Sequence, residues 1–219
     1  MLLLCTLPDP SLATTRKLAS LFQPPPLVLN YHNGPLLKST VAINLIWYGD
    51  FSPIQRSIIV DFIQSMNPAN ALPPTSVASW WQTIENYKDG SSGLILGTQI
   101  MDENCSLVDV LVEGFCMSNC GTHGSGLTNT KDAKSKFAYA WVGNPMTQCP
   151  GPCAWPFHQP MFGPQTPPLA APNGDVGVDG MVINLAMVLA GTVTNPYKTG
   201  YFQVLAEICR DPCLVSGGD

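Results

Sequence analysis

VEGFCMSNCGTHGSG (residues 112–126), FAYAWVGNPMTQCPGPCAWPFHQPMFGP (137–164) and PNGDVGVDGMVINLAMVLAGTVTNP (172–196) decide how this chain folds. The first two are too rich in glycine and proline to be carried by long helices. They hold four of the chain's 8 cysteines, in two C-x3-C pairs, Cys116/Cys120 and Cys149/Cys153. Such loops bury little paired backbone, so covalent or metal crosslinks must hold them. The third stretch is apolar almost all round from about Gly180 to Gly191, the pattern of a central, buried helix. Thr194-Asn195-Pro196 ends it. Asp179 is expected to cap its start with Asp175 in the preceding turn, since Asp is a preferred N-cap residue. The same Asn/Asp/Gly loop offers hard oxygen ligands for calcium, but it lacks the EF-hand spacing, and capping is the favoured reading.

Working outward, Val41 to Tyr48 is a near-continuous apolar run closed by Gly49, which predicts a strand buried on both faces. Ser52, Pro53 and Gln55 then form a helix start: a cap, a proline at the first helical position and a Ser-x-x-Gln capping box. Ile54, Ile58, Phe62 and Met66 recur at four-residue spacing, with Ile59 and Ile63 widening the stripe, and Asn67-Pro68 stops it. A second helix is expected from about Ser76 to Tyr87. One short strand follows, Leu94–Leu96 with Gln99–Ile100, and another at Phe137–Val142, where large and small residues alternate. Between Cys149 and Pro172 no regular structure is expected. Strand, helix, helix, strand, then crosslinked loops and a buried helix make a single mixed domain, α/β or α+β, with Cys/Pro/Gly-rich loops.

The length of 219 residues fits one domain. Residues 1–26, ending in Pro24-Pro25-Pro26, are expected to be a leader or truncated signal peptide with a proline-rich linker. Residues 27–203 form the domain, and 204–219 a divergent tail. Apolar residues make up 45% and charged residues only 11%, with 19 Gly and 21 Pro, so solubility is expected to rest on neutral polar loops or added sugar. A net charge of −5 gives no basic footprint for nucleic acid. No run approaches the roughly 18 apolar residues of a membrane span. The cysteine count favours an oxidising, extracellular compartment, where disulfides form and persist. Asn104-Cys105-Ser106 is a glycosylation sequon.

The cysteines allow three chemistries. Cys116, Cys120, Cys149 and Cys153, with Cys105 and Cys209 as further candidates, are read first as a disulfide framework of undetermined connectivity. Four sulfurs with His123 and His158 also meet the donor set of a zinc site, at loose spacing. A thiol left free beside His123 or His158 would be a nucleophile. An oxidising compartment favours disulfides over both. With only 3 His there is no H-E-x-x-H pair, and Gly124-Ser125-Gly126 is not a nucleophile elbow. Of the four glutamates, Glu85 reads as a solvated helix face, and Glu113, just before Cys116, as loop surface. Trp80, Trp141 and Trp155 are candidates for a glycan platform, against the plainer reading of core or loop pegs.

At LVLNYHNG (27–34), IWYGDFSPIQRSIIVDF (46–62), SVASWWQTIENY (76–87), 112–126, 138–164 and 171–196 the chain resembles the plant Exordium family, also called the phosphate-induced protein 1 family. The blocks cover most of the chain from about residue 27 to 203. The resemblance implies a secreted cell-wall or apoplast protein that promotes cell expansion and growth, non-enzymatic, acting by binding an extracellular protein or a wall polysaccharide. It offers no catalytic residue to carry over, and no metal site or cofactor is expected. Two alternatives remain: a carbohydrate-binding module, and a hydrolase descended from zinc peptidases. The second rests on a dim likeness of Ile183 to Pro196 to the active-site helix of bacterial zinc peptidases, with Met187 and Val188 where those enzymes carry His and Glu. It would make this a degenerate zincin-like fold. Family members carry several tens more residues between the Gln99–Asp102 strand and the Val112 block, so a helix and a strand are expected to be missing here. Removing them should leave apolar surface exposed.

Overall fold

The computed structural model describes residues 27–67, 75–88, 90, 93–106, 114–117, 119–130, 133–163 and 165–203. In chain order these form β1 (Asn30–Tyr31), β2 (Thr40–Tyr48), α1 (Pro53–Ser65), α2 (Val77–Trp81), a 3-10 turn (Gln82–Asn86), β3 (Gly93–Asp102), β4 (Gly121–Thr130), β5 (Ala133–Val142), α3 (Pro150–Cys153), α4 (Val176–Thr194) and β6 (Tyr201–Phe202). The domain is mixed α/β. Its described strands pair two by two: β1 with β6 antiparallel, β2 with β3 parallel, and β4 with β5 antiparallel.

Helix α1 starts as its sequence dictates. Ser52 Oγ accepts from Gln55 N at 3.2 Å, and Gln55 Oε1 accepts from Ser52 N at 3.0 Å, so the capping box closes in both directions. Its buried stripe is centred on Ile59 and Ile63, with Ile58 and Phe62 on the flanks. Ile54, expected in that stripe, is exposed. The expected second helix is cut short: after Trp81 the chain tightens into 3-10 geometry. Trp81 is fully buried while its neighbour Trp80 is 41% exposed, because adjacent helical positions point about 100° apart.

Helix α4 is the centre of the molecule. It begins a turn earlier than expected because Asp175, not Asp179, is the N-cap: Asp175 Oδ1 accepts from Val178 N at 3.0 Å. Asp175 also accepts from Gln55 Nε2 at 2.9 Å, tying the starts of α1 and α4 together. Asp179 lies buried within the first turn, where its carboxylate accepts from Asn173 N at 2.9 Å and from the Asn173 amide. By length and composition α4 would suffice to cross a membrane, which corrects the expectation that no run approaches that size. Here 56% of that span is buried as the core helix of the fold. Val178, Met181, Leu189 and Val193 meet Trp47, Ile59, Ile63, Trp81 and Leu94 in one core.

Strand β2 corrects a second expectation. It buries one face only: Trp47 is in the core, whereas Ile46 is 56% exposed beside Ile100 of β3 at 53%. A run apolar on both faces thus has one face covered by helices and the other open among the described residues. The ladder shifts register between Ile43 and Leu45, where Asn44 Oδ1 accepts from Thr98 N at 2.9 Å.

Strand β4 is absent from the sequence expectations, since GTHGSG reads as a loop. Its glycines are what allow it to pair. Gly124 lies opposite Tyr139 and Gly126 opposite Phe137, and a Cβ would fall 2.7 Å from the Tyr139 ring at the first and 2.6 Å from the Phe137 ring at the second. The alternating aromatics of β5 therefore lie over alternating glycines of β4. The one-turn helix α3 is likewise regular structure where none was expected.

Candidate functional site

Strands β4 and β5 rest on α4, α1 packs beneath β3, and α1 packs on α4. The two strand pairs therefore share one helical layer. Between them runs an open groove of about 630 Å³. One wall is Leu45–Tyr48 of β2 and the other Ala140–Val142 of β5; buried Ile59 of α1 and Met181 of α4 close its depth, with Leu185 beside them. Phe51, Phe115, Gly143, Asn144, Asp50 and Gln148 complete the lining. Groove volumes of this order suit small-molecule or chain-segment ligands.

The aromatic walls are held in place by identifiable contacts. Phe115 stands edge-on to Trp141 at 5.1 Å and 90°. Gly143 makes that contact possible, because a Cβ there would lie 2.5 Å from the Phe115 ring and 2.8 Å from Trp141. On the opposite wall Trp47 packs against Phe51 at 5.3 Å and donates from Nε1 to Gln99 Oε1 at 3.0 Å. Asn144 Oδ1 accepts from Met146 N at 3.0 Å, which fixes the amide plane. Among the described residues Asp50 is the only charged one in the lining.

The cysteine framework anchors this rim. Cys116 is bonded to Cys149 and Cys120 to Cys153, each pair 33 residues apart with Cα atoms 5.3 Å apart. The two C-x3-C pairs are thus cross-joined, first to first and second to second. They clamp Phe115, next to Cys116, and Gln148, next to Cys149, onto the end of the groove. Asn184 Nδ2 of α4 donates to Cys153 O at 2.8 Å and holds the clamp to the core.

The remaining candidates fall elsewhere. With all four sulfurs oxidised, neither zinc nor a thiolate nucleophile has these cysteines as donors. His158 is exposed, its Nδ1 3.0 Å from Gln159 O. His123 on β4 is wedged against α4, its Nε2 2.9 Å from where a Gly191 Cβ would lie. Its Nδ1 is buried with no partner among the described residues. Burial, and to a smaller extent the charge of Lys198, hold its pKa below the ordinary 6.5. Met187 is exposed and Val188 buried on α4, and among the described residues no three His, Cys, Asp or Glu side chains gather closely enough to hold a metal. Asn104 and Cys105 are exposed in the turn after β3, with Cys105 a free thiol; Glu113 and Cys209 lie outside the described residues. Glu85 is exposed in the 3-10 turn.

The three tryptophans of the expected glycan platform are not gathered on one surface. Trp141 lines the groove, Trp80 lines a separate depression between α2 and α4 with Phe62, Val77 and Ile183, and Trp155 lines neither. Sequence reading missed Phe115, Asn144 and Gln148 as lining residues. The adjacency of Phe115 and Gln148 to the cysteines was the available signal.

The family described as "Phosphate-induced protein 1 conserved region" matches residues 29–108 and 107–216. The two stretches meet at the position where several tens of residues were expected to be missing. Protein EXORDIUM-like 2 of Arabidopsis thaliana is 54% identical over 84% of this chain and 71% of its own length. Protein PHOSPHATE-INDUCED 1 of Nicotiana tabacum is 48% identical over 88% of this chain and 73% of its own. Protein EXORDIUM of Arabidopsis thaliana is 50% identical over 80% and 68%. No solved structure matches. The chain belongs to the phosphate-induced protein 1 (Exordium) family.

Proposed function

We propose that this family member is a secreted apoplast or cell-wall protein that promotes cell expansion, and that it acts by binding rather than by turnover. The groove between β2 and β5 is its binding site. The observation that carries this reading is the groove's chemistry among the described residues: aromatic walls, two side-chain amides and a single carboxylate, Asp50. Hydrolysis of a glycosidic bond ordinarily needs a pair of carboxyl groups flanking it, and among the described residues the lining offers one. The paired disulfides support an oxidising, extracellular location, where such crosslinks persist.

The test uses the chain expressed through a secretory pathway and incubated with extracted wall polymers. The expected result is retention on wall material with no release of reducing ends or of peptide fragments. Turnover that is lost in Asp50→Asn, or that a chelator blocks, would replace binding with catalysis. A chain retained inside the cell would refute the location.

A further inference from the structure

We infer that the groove takes a neutral pyranose chain, with the Trp141 ring as its stacking surface and the Phe115 ring set perpendicular beside it; this rests on the binding reading above. Three features select that ligand class. A pyranose presents an apolar C–H face and a ring of hydroxyls at its edge. Aromatic side chains match the first, since their electron-rich faces meet weakly positive C–H groups. Trp141 and Phe115 are half-buried, fixed edge to face at 5.1 Å, and stand on the groove wall. A surface already ordered loses little entropy on binding.

The polar groups match the second. Asn144, whose Oδ1 is engaged with Met146 N at 3.0 Å, keeps its Nδ2 donors directed by that bond. Gln148 and Asp50 stand exposed at the rim, adding an amide and an acceptor. Hydroxyls both donate and accept, so they satisfy all three groups.

Charge decides between neutral and acidic chains. Among the described residues the lining holds one carboxylate and no Lys or Arg, and the whole chain carries −5. A polyuronate would bring like charge against Asp50 with no cation among the described lining residues to offset it, which is unfavourable at contact distance.

The experiment is calorimetric titration of the full secreted chain with cellohexaose, mannohexaose and a xyloglucan oligosaccharide, and separately with hexagalacturonate. At least one neutral hexasaccharide binds, and hexagalacturonate does not at low salt. Gln148→Ala and Asp50→Ala, both at exposed positions that leave the fold intact, each weaken binding about threefold to tenfold, the effect of losing one hydrogen bond. Trp141→Ala abolishes binding, and Trp80→Ala changes nothing. Equal or tighter binding of hexagalacturonate overturns the inference. So does neutral-chain binding untouched by the Gln148, Asp50 and Trp141 changes, which would move the site elsewhere and leave the broader binding reading standing. Occupancy of the groove by an extended peptide, seen as self-association abolished by the same changes, also overturns it. Cleaved oligosaccharide in the cell would instead refute the broader reading.

Discussion

Removing one of the two disulfides should cost less than an isolated crosslink of its span, and removing both should cost more than the sum of the single losses. Each bridge closes residues 33 apart, and the two are offset by four residues at either end. With one bridge intact, the second closes only a ring of about 10 residues, worth about 2.7 kcal/mol of unfolded-state entropy. The last remaining bridge closes the long loop of 33 residues, worth about 3.7 kcal/mol. Replacing Cys116 with Ser together with Cys149, or Cys120 with Ser together with Cys153, should therefore lose about 2.7 kcal/mol each. The fourfold serine variant should lose about 6.4 kcal/mol, roughly 1 kcal/mol beyond the summed pairs. Urea unfolding followed by tryptophan fluorescence reads all three values. A single-bridge loss of this size lowers the melting temperature by about 5–10 °C in a domain of this length. Two bridges that each cost about 3.7 kcal/mol and add without coupling would refute the shared-ring reasoning.

Other consequences are as direct. Because folding lowers the His123 pKa below 6.5, the native state binds fewer protons than the unfolded chain. Stability should be whole above about pH 6.5 and fall as pH drops towards the folded pKa; His123→Phe should flatten that slope, and an unchanged slope would remove His123 as its source. Gly180→Ala places a Cβ 2.9 Å from Ala154 Cα and 3.0 Å from Cys153 O. The overpacking cost of about 1–3 kcal/mol outweighs the helical gain of about 1 kcal/mol, so the melting temperature should fall. Asp175→Ala removes the α4 cap and the Gln55 link and should cost about 1–2 kcal/mol in urea unfolding, with Asp175→Asn close to wild type.

Local signals were legible where the sequence itself supplies both partners. Ser52 and Gln55 satisfy each other three residues apart, so α1 could be read to its first residue. The start of α4 was less legible, because Asp175 and Asp179 are equally good caps in isolation. What separates them is Asn173, which folds back to hold Asp179 inside the helix. Strand β4 was hidden by a composition that describes a loop, and only the facing rings of β5 explain its glycines. The open face of β2 could not be foreseen from an apolar run, since covering it depends on elements distant in sequence. The groove has the same origin. Trp47, Phe115 and Trp141 come from three separate segments, and no local pattern announces that their elements share one helical layer.

The most direct test of the groove as the binding site is an NMR titration that follows the indole N–H signals of the 5 tryptophans with a bound wall oligosaccharide. The account predicts that the Trp141 signal moves with saturating dose while those of Trp80 and Trp155 stay fixed. A shift at Trp80 or Trp155 with Trp141 unmoved would contradict it.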